Sequence, residues 1–178
     1  MIETERLRLR SWREGDDALL HEHCNTEPVM RWLGGVKPRE VMSIVAAKLA
    51  GWQELHGHTF WVVERKEDGA FLGFCGIKIA DDPSSPVEGE FEIGWRLRED
   101  AWGKGYAREA AAASLDYAFA TLGAERVVAL TVQGNSPSWG LMIRLGMTRR
   151  ADLDYVGAPW AEGMVIVYSI GKEEWRTS

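Results

Sequence analysis

The sequence predicts a mixed α+β fold: one mostly antiparallel, twisted sheet of about six to seven strands with helices on both faces. Three observations carry this expectation. Strand-like and helix-like segments follow in the order strand, two helices, three strands, helix, strand, helix, two strands, which suits one sheet flanked by helices. Arg6-Leu7-Arg8-Leu9-Arg10 alternates strictly, as a strand with one buried face does. The strand–helix–strand unit from Glu88 to Val132 is expected to form a parallel crossover of right hand.

The elements follow in order. After the first strand, helices are expected from Asp16 onward and from Lys37 to Gln53, with Pro38 in a first turn. NTEPVMRWLGG between them reads as a helix end and a loop. Thr59 to Glu64 and Phe71 to Ile79 are β-rich runs joined by the turn signal Asp68-Gly69. Gly73 and Gly76 inside the second run suggest a bulge or close backbone approach. A loop, Asp81 to Pro86, leads to a strand from Glu88 to Leu97. A helix then runs to about Leu122. Its inward positions, Ala107, Ala110, Ala111, Ser114, Leu115, Ala118 and Phe119, are mostly small and imply close packing. Arg126 to Val132 is a strand. Ser136-Pro137 reads as an N-cap and first helical residue of a short helix to Leu145. Two strands close the chain, near Thr148 to Tyr155 and Met164 to Ile170.

The 178 residues suggest a single domain spanning 1–178. Hydrophobic residues make up 46% and charged residues 27%, a globular balance. Nine tryptophans point to aromatic packing, an aromatic ligand groove, or both. A net charge of -6 argues against nucleic acid as a partner and suits a cationic amine. It serves equally as a solubility device. Cys24 and Cys75 fit no metal spacing, so no metal is expected and the compartment reads as reducing. The N-terminus lacks an apolar h-region, and no run approaches a membrane span. The expected setting is cytoplasmic, with no membrane partner.

The stretch AWGKGYAREA (101–110) carries the chemistry. Two glycines expose backbone N–H groups just before a helix N-terminus, which suits a phosphate or pyrophosphate. The Walker and dinucleotide patterns are both absent. A tight turn into a packed helix is the plainer reading of the motif alone.

The longer stretch EIGWRLREDAWGKGYAREAAAASLDYAF resembles the coenzyme-A-binding segment of the GCN5-related N-acetyltransferases (GNAT), closest to their RimJ/RimL-like branch. TERLRLRSWREGD, EPVMRWLGG, NSPSWGLMIRLGM and VIVYSIGKEEW resemble further segments of that branch, in the right order. The resemblance implies a GNAT fold whose fourth and fifth strands splay apart. It implies acetyl-CoA as co-substrate, and an amine acceptor that is either a protein N-terminus or a small molecule. Trp102, Gly103, Lys104, Gly105, Tyr106 and Ala107 fall on the pyrophosphate loop. Trp95 and Leu97 fall where backbone groups pair with the pantetheine arm, and Asn135 and Ser138 lie beside that arm.

The same resemblance places Glu92 near the reaction centre as a base. It makes the Leu97 backbone N–H the candidate donor to the tetrahedral intermediate. Many relatives carry a tyrosine acid where this chain has Met142, and Ser138 is the expected replacement. Trp32 and Trp160 lie in segments that border the acceptor groove, with core packing as the rival role. Glu92 has a rival role too, as a cross-strand ion pair or a solvated carboxylate. His21, His23, His56 and His58 read as packing or loop residues. Other readings of the whole chain stay open: a non-catalytic acyl-CoA sensor, motivated by Met142; an acetyltransferase of antibiotics or polyamines; and an unrelated nucleotide-phosphate binder. The oligomeric state is not legible, and a homodimer stays open.

Overall fold

The structure is a computed structural model that describes residues 1–177. Among the described residues, nine strands form one sheet: β1 (Ile2–Glu3), β2 (Leu7–Arg10), β3 (Phe60–Arg65), β4 (Phe71–Ile79), β5 (Phe91–Leu97), β6 (Arg126–Val132), β7 (Thr148–Arg149), β8 (Tyr155–Val156) and β9 (Met164–Gly171). Their order is β1-β2-β3-β4-β5-β6-β9-β7, with β8 also pairing β9. Every pairing is antiparallel except β5 with β6. The helices are α1 (Asp16–Cys24), α2 (Glu27–Met30), α3 (Arg39–His56), α4 (Tyr106–Ala120), α5 (Ser136–Arg144) and α6 (Lys172–Arg176).

Strand alternation divides the core between two faces. Leu7, Leu9, Cys75, Ile77, Ile93 and Leu97 pack against α4. Phe60, Val62, Phe71 and Phe74 face the other way, onto Leu20 and Cys24 of α1 and Met42, Ala46 and Leu49 of α3. Helix α4 lies close to the sheet because Ala110, Ala111, Ser114 and Ala118 are small and fully buried. The Ser114 hydroxyl is satisfied by Ala110 O at 2.8 Å. Gly73 marks a bulge opposite Val63/Glu64, and any Cβ there would lie 2.1 Å from Arg96 O. Only glycine permits that approach.

Several boundaries differ from expectation. The strand expected from Glu88 begins at Phe91, because Asp82 to Glu90 fold into successive turns around buried Val87. The segment from Thr148 to Tyr155 breaks into β7, a 3-10 turn and β8. Its cause is Arg149 pairing with Asp154, whose Oδ1 also accepts the Val167 N–H at 3.2 Å. The N-cap of α5 is Asn135 rather than Ser136, which puts Pro137 one step inside the first turn. Strand β1 and helices α2 and α6 are too short for a periodicity argument to find.

Candidate functional site

Strands β5 and β6 pair only at Phe91↔Val127 and Glu92↔Val128. Beyond that point β4 still pairs β5 to Leu97, and β9 still pairs β6 to Val132. The two middle strands therefore diverge into a V, the splay expected of the fourth and fifth strands. Arg98 N–H donates to Leu72 O at 2.9 Å, which fixes the alternation along β5. Arg96 and Arg98 turn their main-chain groups to β4, so Trp95 and Leu97 turn theirs into the V. Their side chains pack toward α4. An extended, amide-bearing ligand is what such an unpaired edge accepts.

At the mouth of the V the chain turns into α4. Gly103 (φ 72°) and Gly105 (φ 80°) are left-handed, and Gly105 is the N-cap with no side-chain bond. Glu109 N–H returns to Gly105 O at 3.0 Å, which leaves the amides of Tyr106, Ala107 and Arg108 without intrahelical acceptors. Together with the helix dipole they form an anion cradle. Lys104 and Arg108 are exposed beside it. The Tyr106 side chain is buried in the core, so only its backbone can serve a ligand. Trp102, 48% exposed, donates its indole N–H to Leu97 O at 2.9 Å. It thereby closes the last carbonyl of β5 and leaves the Leu97 N–H side of the V open.

The loop is strapped from outside by the N-terminus. Arg6 Nη1 donates to Lys104 O at 2.9 Å, its guanidinium lies 4.6 Å over the Tyr106 ring, and its Nε reaches Glu109 Oε2 at 2.7 Å. Glu109 also accepts from the Arg6 N–H at 2.8 Å and from Thr4 Oγ1 at 2.6 Å. Burial would raise the Glu109 pKa, but these donors outweigh it and hold the carboxyl below its ordinary value.

On the opposite face lie the side chains of Glu92 and Arg96 on β5, with Gly94 between them, and those of Val128, Leu130 and Val132 on β6. Glu92 sits directly across from Lys78 and pairs with it at 3.1 Å. Its rival role, the cross-strand ion pair, is thus present. Burial raises the Glu92 pKa while Lys78 opposes the rise. Lys78 is divided, since it also holds Asp81 at 2.6 Å. Glu90 is taken up by Arg126. Tyr155 reaches Asp82 Oδ2 at 3.4 Å, and burial leads the rise in its pKa.

Trp32 lies against Gly134, where an added Cβ would come within 2.6 Å of its ring. A cleft of about 320 Å³ is lined by Arg31, Trp32, Gly34, Gly35, Val132 and Glu162. It lies at the open end of the V. Trp160 does not line it, but its main chain adjoins Gly34. At the start of α5, the Asn135 side chain makes no cap and Ser138 is half-buried with an unengaged hydroxyl among the described residues. Met142 is fully buried in the α4-side core, so nothing at that position reaches the V.

A family model described as an acetyltransferase (GNAT) domain matches residues 6–148. The chain belongs to the GNAT N-acetyltransferase family. It is 33% identical over 149 residues to the uncharacterized protein YkkB of Bacillus subtilis, covering 81% of this chain and 83% of the relative. A GNAT-family acetyltransferase from Bacillus anthracis superposes with a TM-score of 0.79 at 25% identity, covering 97% of this chain and 98% of the other. A spermidine N-acetyltransferase from Vibrio cholerae, solved with CoA and spermine, shares the fold at 18% identity and a TM-score of 0.73, covering 97% and 99%. The GNAT fold binds acetyl-CoA generally.

The structure also brings forward groups that the sequence reading did not single out: the Arg6–Glu109 strap, Lys78, Tyr155 and Arg96. The contact between Arg6 and Glu109 spans 103 residues, beyond the reach of any local pattern. Lys78 was findable in principle, as the partner of Glu92 across a predicted antiparallel pair. Among the described residues, no three of His, Cys, Asp and Glu converge as a metal site, and no helix is long and apolar enough to cross a membrane.

Proposed function

We propose that this acetyltransferase works as one domain of residues 1–178 and moves the acetyl group of acetyl-CoA to a primary amine, with the α-amine of a protein or peptide N-terminus as acceptor, as in the RimJ/RimL-like branch. The observation that carries the reading is the V between β5 and β6, with a glycine-rich helix N-terminus at its mouth.

Acetyl-CoA supplies the activated thioester. The chain's own groups then divide the work. The backbone N–H groups of residues 103–107, with Lys104 alongside, hold the pyrophosphate, and the edges at Trp95 and Leu97 hold the amide-bearing arm. Asn135 and Ser138 flank that arm from α5. The Leu97 N–H donates to the oxygen that becomes negative as the amine adds. The amine attacks only when neutral. An α-amine is about a tenth neutral near pH 7 and a lysine under about a thousandth, so an α-amine asks less of a base. Glu92 accepts the proton through water, and its raised pKa moves it toward useful basicity. The Ser138 hydroxyl serves the departing thiolate, since Met142 is locked in the core. Trp32 and Trp160 border the acceptor cleft. Burial pushes the Cys24 and Cys75 thiols to about 12, so both stay protonated and unreactive.

Thermal shift with acetyl-CoA, CoA and ATP tests the binding half: the first two should raise the Tm and ATP should not. Thiol release over a panel of peptides and amines tests the chemistry. Binding of acetyl-CoA without release to any amine would favour the sensor reading that Met142 motivates. Turnover of small amines but not peptides would move the acceptor to antibiotics or polyamines.

A further inference from the structure

Arg96 sits on β5 opposite Phe74, on the face that α1 and α3 cover. Its guanidinium stacks 5.1 Å over the Phe74 ring. Its Nε is buried with no acceptor, and no ion pair or hydrogen bond engages its other nitrogens among the described residues. The charged pairs around it are settled elsewhere: Glu92 with Lys78, and Arg98 with Asp100. The one group that faces it electrostatically is the neutral Cys24 thiol.

A buried arginine without a counter-ion is costly, because its charge is removed from water and nothing replaces the lost solvation. Burial indeed pulls its pKa down to about 10, which still leaves it cationic at neutral pH. The residue as a whole is nevertheless only half-buried, although its Nε is enclosed. Its place is telling as well. Arg96 lies between Trp95 and Leu97, whose main chains face the V, on the same sheet face as Val132, which lines the cleft that Arg96 itself does not line. The other orphaned buried polar atoms are Thr26 Oγ1, two residues beyond Cys24, and Trp52 Nε1 on α3. Arg96 Nε and Trp52 Nε1 can only donate, whereas the Thr26 hydroxyl can donate or accept, and Trp52 stands apart beside Lys78.

We infer that Arg96 is the counter-ion for a carboxylate on the acceptor, so that the amine acetylated here is one that also bears a carboxylate within a few bonds. This rests on the acetyl-transfer reading and narrows it. Two sources carry that chemistry: a free amino acid, through its α-carboxylate, and a peptide N-terminus whose first side chain is Asp or Glu. Polyamines lack it.

The test uses matched acceptors. Free glutamate and alanine are compared with their α-carboxamides, amidated peptides beginning Asp or Glu with those beginning Asn or Gln, and spermidine is included. At least a tenfold preference in kcat/KM for the carboxylate member of one series is expected, and which series shows it identifies the source. Arg96→Met should erase the preference, by loss on the carboxylate member, with activity on the neutral member retained. Its Tm should equal or exceed that of wild type, because an unpaired buried charge has gone. Arg96→Lys should keep part of the preference.

Equal rates on paired acceptors with wild type would overturn the proposal, as would an unchanged preference in Arg96→Met. Thermal shift of the CoA-bound protein by the same ligands reads binding without turnover. Carboxylate-selective stabilisation, lost in Arg96→Met, upholds the Arg96 site even if no thiol is released. Equal stabilisation by both members refutes it.

Discussion

Gly105→Ala separates the cradle's fold from its function. Gly105 holds φ at 80°, and an added Cβ would lie 3.3 Å from Arg6 Nη2, close enough to need a small shift of that side chain. The left-handed conformation costs an L-residue roughly 1–2 kcal/mol. In a chain of this size each kcal/mol lowers the Tm by about 2–4 °C, so a loss of roughly 2–8 °C is expected. The residue relieves the strain by rotating its peptide, which turns the Gly105 and Tyr106 N–H groups out of the cradle. Affinity for CoA should then fall by roughly tenfold or more, about 1.4 kcal/mol per decade. Gly15 supplies the control. It is the N-cap of α1, with φ 88° and open space around its Cβ position. Gly15→Ala should lose a similar Tm and keep wild-type CoA affinity by calorimetry. Equal CoA affinity in Gly105→Ala and wild type, with the expected loss of Tm, would refute the cradle assignment.

Other outcomes follow from the same geometry. Glu92→Gln should remove the acidic limb of the kcat/KM profile, whose midpoint in wild type lies above the ordinary carboxylate value because burial raises that pKa; the unprotonated form is the active one, so activity falls as pH drops through it. Glu109 has the opposite sign: its folded pKa is depressed, so its contribution to stability is present above the unfolded value of about 4.3 and is lost as pH falls through the folded one. Denaturation of Glu109→Gln should therefore depend less on pH in that acidic window. Trp102→Phe removes the bond to Leu97 O, costs about 0.5–1.5 kcal/mol in chemical denaturation, and should raise the KM for acetyl-CoA. Ser138→Ala should fold as wild type and slow thiol release by roughly tenfold or more. Met142→Ala should instead cost about 2–5 kcal/mol in stability through the cavity it leaves.

What was readable in the sequence was whatever repeats or stands in a local pattern. The Arg6–Arg10 alternation, the small inward residues of α4 and the paired glycines of 103–105 each state their geometry within a dozen residues. The splay was readable only through the resemblance, since no single strand records where its neighbour leaves it. Glu92 shows why side-chain roles were harder. Its partner Lys78 is named by the register between β4 and β5, which neither strand records alone. Arg96 was harder still. In FEIGWRL it occupies the slot of a solvent-facing charge, and only the docking of α1 over β4 turns that slot into an enclosed one. Strand β1 and helix α2 each offer too few residues for any period to show.

The strap from Arg6 to Glu109 has a consequence in time. During synthesis the N-terminal residues emerge first, yet the carboxylate that holds them follows 103 residues later. Until α4 exists, Thr4 and Arg6 have nothing at that end to grip, so the glycine loop and strand β1 must mature together. A nick or a bulky fusion ahead of Thr4 would act on the far loop as a loosened knot acts on the whole cord.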